Sequence, residues 1–421
     1  MSVGRRIAMA AVLFGCEADQ LANEPAGTTG ADFGTGDTAG LDPASSGPSR
    51  VVTSDGEGSD DGGSSGASPG EDTGEAPEDA EDWVYPEPEW RVEPPQAHGF
   101  DPTALETASD IAAAEQSGCL VVTRHGVIVH EWYAEGWDAT RTTEVWSVTK
   151  SVTSTLVGIA QGKGLVHVDE FASDSIDAWA TTESADVTVG QLLQQDSGRH
   201  WDFIDDYVEL DVLASDKSEF AIGLPQQHPP GQWWEYNNAG VQSLEPVLRA
   251  AVGQDVSAFA TEALFEPIGM DATMAHDDAG NTITYAHLRA GCRALARYGY
   301  LYLRRGRWAD GEQIVPAEFV DQSTTSRTEL NDAYGYLWWL NQPGHWVRPS
   351  TPGRNEGDGL LLPNAPIGAY TARGLGAQIV AVDPSTEVVF TRLSAVPPQD
   401  LLQETNVEHD LWSAIMTAII E

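Results

Sequence analysis

Trp146-Ser147-Val148-Thr149-Lys150-Ser151 opens a helix-forming stretch that runs to about Gln161 and stops at Gly162-Lys163-Gly164. A serine and a lysine three positions apart on a helix share a face, about one turn from each other. At the helix start, Ser147 sits where unpaired backbone N–H groups and the positive dipole end favour a developing negative charge. Val152, Leu156, Val157 and Ile159 follow, interleaved with Ser151, Ser154, Gly158 and Ala160, so the helix reads as buried nearly all round. Burial disfavours an ammonium and lowers the pKa of Lys150 toward an amine that can take the serine proton. The plainer alternative is a helix start with a surface lysine, and the apolar residues after Lys150 argue against it. Lysine occurs elsewhere only at 163 and 217, which makes this placement more telling.

Working outward, Cys119 to Thr123 and Val127 to Trp132 are β-prone runs either side of His125-Gly126, a hairpin signal. Helices are expected over Val187 to Gln195, Val241 to Val252, Val256 to Phe265 and His287 to Arg304. Strand character returns at Tyr334 to Leu340, Tyr370 to Ala372, Ala377 to Val382 and Glu387 to Leu393, before an amphipathic helix from about Val407 to Ile420. Strands at both ends with helices between them predict an α+β fold: one sheet domain over 83–421, with a helical insertion at roughly 165–325.

The chain has 421 residues and a formal net charge of −43, which excludes nucleic acid as a partner, because counterion release needs clustered Lys and Arg. Much of the acid lies between Glu17 and Asp82, a stretch of Gly, Ser, Thr, Ala, Pro, Asp and Glu with Arg50 as its one basic residue. Such a segment cannot repay its ordering entropy and reads as a self-repelling tether. Gly66-x-Ser68-x-Gly70 inside it mimics a hydrolase nucleophile elbow but has neither the strand before nor the helix after that the elbow requires. Ahead of the tether, Arg5 and Arg6 precede a short apolar run, and Leu13-Phe14-Gly15-Cys16 resembles a bacterial lipobox. The run is far below the roughly 20 residues of a spanning helix. A lipid on Cys16 would then anchor the chain in a bacterial cell envelope, and Glu17 leans toward the outer membrane. Cys119 and Cys292 remain, and their spacing leaves open either a bridge or two buried thiols.

Two further stretches carry chemistry. Tyr236-Asn237-Asn238 follows Pro230-Gly231-Gln232-Trp233-Trp234-Glu235. A phenol can shuttle protons between nucleophile and leaving group, and an amide such as Asn238 can orient a lysine or a substrate. Read alone, this stretch is as well explained by an aromatic corner with an Asn helix cap. Ala372-Arg373-Gly374-Leu375-Gly376-Ala377-Gln378 falls where a strand is expected; its glycines would let a substrate approach the backbone, and a strand N–H could complete an oxyanion hole.

The order S-x-x-K, Y-x-N, glycine-rich strand, with helices between the first and the last, resembles the serine β-lactamase and penicillin-binding superfamily. The likeness is greatest to its β-lactamase-related branch of esterases and 6-aminohexanoate-dimer hydrolases. Supporting stretches are Gly99-Phe100-Asp101, Leu192-Leu193 with Ser197-Gly198, Pro267-Ile268-Gly269-Met270, and Gln378 with Asp383-Pro384. The resemblance implies an antiparallel sheet flanked by N- and C-terminal helices plus an α-helical domain, with the site between them. It implies Ser147 as acylated nucleophile and Lys150 as general base or proton relay. Tyr236 would protonate the leaving group and then activate water, with Asn238 positioning Lys150. The N–H groups of Ser147 and Leu375 would form the oxyanion hole. Arg373, Gly374, Gly376 and Trp234 would contact substrate. No metal or cofactor is implied, and the partner is a small-molecule ester or amide.

Departures bear on the substrate. Ala372-Arg373-Gly374 lacks the leading cation and the hydroxyl that β-lactamases and D,D-peptidases carry on this strand, which weakens a β-lactam reading. Alternation puts Arg373 on the other face from Ala372, and Asp196 replaces a small polar residue before Ser197-Gly198. Trp233, Trp234, Trp338, Trp339 and Trp346 could wall an acyl pocket or simply form core. His200 or Asp206 could line the entrance. The competing readings are a D,D-peptidase, a D-aminopeptidase or a weak β-lactamase, an inactive surface-binding lipoprotein, and a triad using His125, His130, His200 or His228.

Overall fold

In the computed structural model, residues 83–350, 353–396 and 405–420 are described; the signal, Cys16 and the tether expected over 1–82 lie outside them. Strand β1 (Ser117–Arg124) turns into β2 (Val127–Tyr133) through His125 and Gly126, both at positive φ (52° and 77°). Two residues in that conformation give a turn whose twist matches that of the strands it joins. With β3 (Trp339–Leu340), β4 (Tyr370–Gly374), β5 (Gln378–Asp383) and β6 (Val388–Ser394), the hairpin builds a sheet ordered β2-β1-β6-β5-β4-β3. Every neighbouring pair is antiparallel.

Alternation along the strands sorts the core into two layers. Leu120, Val122, Ile379 and Phe390 point to the face covered by α1 (Pro102–Ala114) and α4 (Val407–Thr417). Phe390 meets Trp412 there edge to face, with ring centroids 4.8 Å apart. Cys119, Val121, Val380 and Val389 point to the other face, toward α2 (Val148–Gly162) and α3 (Cys292–Leu303). Gly299 lets α3 press onto the sheet: a Cβ there would come 2.6 Å from Val389 Cγ1. A disulfide joins Cys119 on β1 to Cys292 at the start of α3 (S–S 1.98 Å), so the two thiols are paired. The helical insertion is therefore narrower than 165–325, because α3 belongs to the sheet layers.

Several elements differ from the sequence reading for local reasons. The helix expected from Val241 to Val252 is two helices, Asn238–Gln242 and Leu244–Val252; Pro246 has no N–H to give to the carbonyl of Gln242, so the first helix cannot continue. Val256–Ala260 passes into a wider-wound turn, Thr261–Phe265. The strand expected from Tyr334 shrinks to Trp339–Leu340, because Leu337 turns the chain at φ 60°. The helix expected from His287 starts at Cys292: His287 stands at φ 69°, and Arg289–Ala290 instead pairs with Thr143–Glu144. Among the described residues no helix is long and apolar enough to cross a membrane.

The bridge closes a sequence separation of 173 residues, so its main effect is to restrict the unfolded chain. Cys119→Ser/Cys292→Ser should lose roughly 2–5 kcal/mol of unfolding free energy in a denaturant titration, with the fold otherwise retained.

Candidate active site

Ser147 lies at the mouth of α2, half-buried, at φ −70° and ψ −3°, and its hydroxyl makes no capping bond to the helix. Trp146 before it is held at φ 49°, which turns the chain sharply into the helix. Thr149 secures that turn: its hydroxyl donates to the carbonyl of Trp146 (2.5 Å) and accepts the N–H of Leu288 (3.1 Å). Further along α2, Ser151 donates to the carbonyl of Leu337 (2.6 Å) and Thr153 to that of Thr284 (2.7 Å). The small polar residues of this buried helix thus tie it to neighbouring segments.

Lys150 is 1% exposed. Its Nζ donates to Ser147 Oγ at 3.0 Å and to the carbonyl of Tyr285 at 2.9 Å. The Tyr236 and Tyr285 ring centroids lie 4.8 and 5.7 Å from it. Burial pulls Lys150 down to about 7, against the raising influence of Asp206 and Asp211. Asp206 is also buried, and burial pushes it up to about 7 against the N–H groups it accepts and the charge of Lys150. These two groups titrate as a pair.

Tyr236 is the second titratable group beside this pair: its ring centroid lies 4.8 Å from Lys150 Nζ, the atom that donates to the serine hydroxyl. Burial holds the Tyr236 phenol well above its ordinary range; Ser147 and Arg373 oppose the shift and Asp206 adds to it. Trp339 stacks on the Tyr236 ring with centroids 5.8 Å apart. Asn237 caps the following helix, its side chain accepting the N–H of Gly240 at 2.7 Å. Asp206 completes that cap by accepting the N–H groups of Asn238 (3.2 Å) and Ala239 (3.0 Å). The Lys150 hydrogen bonds go to Ser147 and to the Tyr285 carbonyl, so the place expected for the Asn238 amide is taken by the Tyr285 backbone.

Strand β4 ends against the nucleophile turn. A Cβ on Gly374 would come 2.2 Å from the carbonyl of Val145, two residues before Ser147, so only glycine allows this approach. Leu375 follows in the turn to β5, and Gly376 has φ 75° with its carbonyl accepting from Arg392 at 2.7 Å. Among the described residues, neither the Ser147 N–H nor the Leu375 N–H donates to another backbone group. Ala372 faces the inner core, whereas Arg373 pairs with Glu408 on α4 at 2.8 Å and lies 5.5 Å from the Trp339 ring.

Other expected site residues fall elsewhere. Trp234 is 0% exposed, packed edge-on against Tyr334 and Trp339, so it lies behind the site and cannot touch a substrate. Trp338 is equally buried, whereas Trp233 is turned outward, with His228 stacked on it at 4.9 Å. Asp206 is buried beneath the site and does not line an entrance. His200 is engaged with Asp205 at 2.8 Å and His130 with Ser109 at 2.6 Å, while His125 faces His98, so none of these histidines reaches Ser147. Among the described residues His200, Asp202 and Asp205 bring possible metal-ligating atoms within 4.8 Å of one another. The site residues missed in the sequence are Asp211, Tyr285 and His287, while Asp206 was singled out for the entrance and not for its place beneath Lys150. They belong to segments far from Ser147 along the chain and match no short motif.

An antiparallel sheet covered on both faces, with a serine–lysine helix running under one of them, defines the β-lactamase/transpeptidase-like class of folds. The chain belongs to the Beta-lactamase family, whose sequence pattern matches residues 104–409. No curated protein sequence matches it. Among solved structures it is similar to a protein from Bacillus anthracis provisionally described as a 6-aminohexanoate-dimer hydrolase, with TM-score 0.59, 19% identity, and coverage of 73% of this chain and 80% of that one. It is also similar to a penicillin-binding protein homolog from Caulobacter crescentus (TM-score 0.56, 16% identity, 76% and 99% covered). A third is a family VIII carboxylesterase (TM-score 0.55, 16% identity, 76% and 99% covered).

Gly374→Ala should push β4 away from the nucleophile turn. The expected result is a loss of about 1–3 kcal/mol in stability from overpacking, together with a fall in the rate of Ser147 acylation at unchanged secondary structure by circular dichroism.

Proposed function

We propose that the protein is an exported, lipid-anchored serine hydrolase that cleaves an ester or amide bond through an acyl-enzyme on Ser147. The observation that carries this reading is a serine hydroxyl bonded to a buried lysine that in turn packs on a buried tyrosine of opposite proton affinity. Lys150, brought near 7 by burial, is the acceptor; Tyr236, whose phenol burial keeps protonated, is the donor. Environments that push two titratable groups apart in this way assign base and acid.

Ser147 Oγ gives its proton to Lys150 Nζ as it attacks the substrate carbonyl. The oxyanion is met by the N–H groups of Ser147 and Leu375, preorganised at the helix start and the strand end. As the tetrahedral intermediate collapses, Tyr236 gives its proton to the departing alkoxide or amine, and the Lys150 ammonium 4.8 Å from its ring stabilises the phenolate. Water entering for deacylation gives a proton to Tyr236 and attacks the acyl carbon. Lys150 returns its proton to Ser147 as the carboxylic acid leaves.

An ester or amide fits better than a β-lactam, because Ala372 and the Glu408-paired Arg373 replace the cation and hydroxyl that would hold a drug carboxylate. The Cys119–Cys292 bridge supports export, since structural disulfides persist in oxidising compartments. Anchoring through Cys16 rests on the lipobox and the tether.

Intact-protein mass spectrometry after fluorophosphonate treatment should show one adduct, absent in Ser147→Ala; a folded protein that takes no adduct sinks the hydrolase reading and favours a binding lipoprotein. Lys150→Ala and Tyr236→Phe should each lower kcat on a short acyl ester by roughly 10²–10⁴-fold. Activity needs Lys150 unprotonated, so kcat/KM should fall as pH drops through about 7 and be flat above it until the far alkaline range.

A further inference from the structure

His287 is a half-buried histidine with a carboxylate on each ring nitrogen: Nδ1 bonds to Glu144 Oε1, and Nε2 lies 2.9 Å from Asp211 Oδ1. An ionised carboxylate only accepts hydrogen bonds, so both ring nitrogens must carry protons and the ring is an imidazolium. Its two partners come from different parts of the site. Glu144 is three residues before Ser147, and its segment pairs with Arg289. Asp211 lies in the wider-wound helix Asp205–Leu213 and accepts the hydroxyl of Tyr285 at 2.8 Å. Tyr285, two residues from His287, supplies the carbonyl that holds Lys150 Nζ. The ring of Trp146, next to the nucleophile, lies 5.7 Å from the His287 ring. The positive φ of His287 makes this placement possible and explains why the following helix starts late.

We propose that His287 is a positioning residue that keeps Lys150 a proton acceptor, by locking the Tyr285 carbonyl in place and cancelling the charge of Asp211. The proposal rests on the Ser147–Lys150 reading above. The groups facing Lys150 are Ser147, Tyr236, Tyr285, Asp206 and Asp211; those facing Asp211 are His287, Lys217 and Tyr285. Asp206 and Asp211 are thus the two anions that draw a proton onto Lys150, and Asp211 is the one with a cation bound directly to it. Burial works against the charge on His287, but Asp211 and Glu144 hold it up to about 10. Asp211 is held down to about 2, because His287, Lys217 and the Tyr285 hydroxyl outweigh its burial. Without the imidazolium, only Lys217 and the Tyr285 hydroxyl offset the charge of Asp211, and the lysine retains its proton to higher pH.

The experiment reads Lys150 directly. The chain has lysine only at 150, 163 and 217, so the full protein carrying ¹³C-labelled lysine gives three side-chain signals, assigned with Lys163→Arg and Lys217→Arg. In His287→Gln the Lys150 midpoint should rise by about one pH unit, the shift expected when a nearby opposite charge loses its main counter-charge. In Asp211→Asn it should fall, and in the double variant it should return close to the wild-type value. Imidazole signals of the wild type should show His287 protonated above pH 8, well past the ordinary histidine midpoint of about 6.5. A Lys150 midpoint unmoved in folded His287→Gln overturns the proposal, as does a His287 that titrates near its ordinary value. If His287→Gln fails to fold, the direction of the shift in Asp211→Asn and the wild-type histidine signal decide. Fluorophosphonate labelling of the same samples separates the two claims. A midpoint that moves while Ser147 never labels removes the hydrolase reading and leaves the link between His287 and Lys150 standing.

Discussion

The amine of Lys150 is buried to within 1% of complete exclusion from water, and most of the surrounding structure can be understood as the means of keeping it there. Moving a lone ammonium into a protein interior is costly, and the usual outcome is a lowered pKa rather than a buried ion. Here two hydrogen bonds, two aromatic faces and two carboxylates acting through the field leave it near neutrality. Fewer anions would leave the lysine neutral at every relevant pH but unable to hold the proton it takes. More would make it a permanent cation. The observed balance allows one residue to accept a proton and later return it.

That balance depends on rigid surroundings. Helix α2 is buried along its length, and its hydroxyl side chains are anchored to Trp146, Thr284 and Leu337, so the Ser147–Lys150 pair has little freedom to drift. On the opposite wall, Tyr236 is fixed by its stack on Trp339 and by the doubly capped helix behind it. Asp206 serves two of these functions together. It satisfies the orphan N–H groups at that helix start and places a carboxyl in the field of Lys150, so position and charge are set by one side chain.

The glycine-rich turn after β4 closes the third side. Gly374 is required by the approach of the Val145 carbonyl, which seats the end of β4 against the turn before Ser147. Arg373, one residue earlier, is turned toward Glu408 and leaves the inner side of the strand to Ala372. Strand alternation therefore removes charge from the inner surface, and this is the physical basis on which the proposed substrate is a neutral ester or amide and not an anionic drug.

How much of this was legible in the sequence follows from the range of each interaction. Ser147 and Lys150 are three residues apart, so helical periodicity alone placed them on one face, and the apolar residues after them predicted burial. The hairpin, the C-terminal helix and the β5–β6 pair came from periodicity and turn residues that act over a few positions, whereas the N-terminal helix α1 came only with the family resemblance. Tyr236 and the glycine turn needed the added constraint of chain order. Tertiary structure alone decided what surrounds the lysine: Tyr285 takes the role expected of Asn238, Trp234 lies behind the site, and Cys119 meets Cys292. His287 was read as part of a helix because its neighbours favour one. It adopts φ 69° instead, where bonds to Glu144 and Asp211 from distant segments outweigh local propensity. Local patterns carry information about neighbours on one element, whereas the partners of a buried charge are chosen by the packing of several.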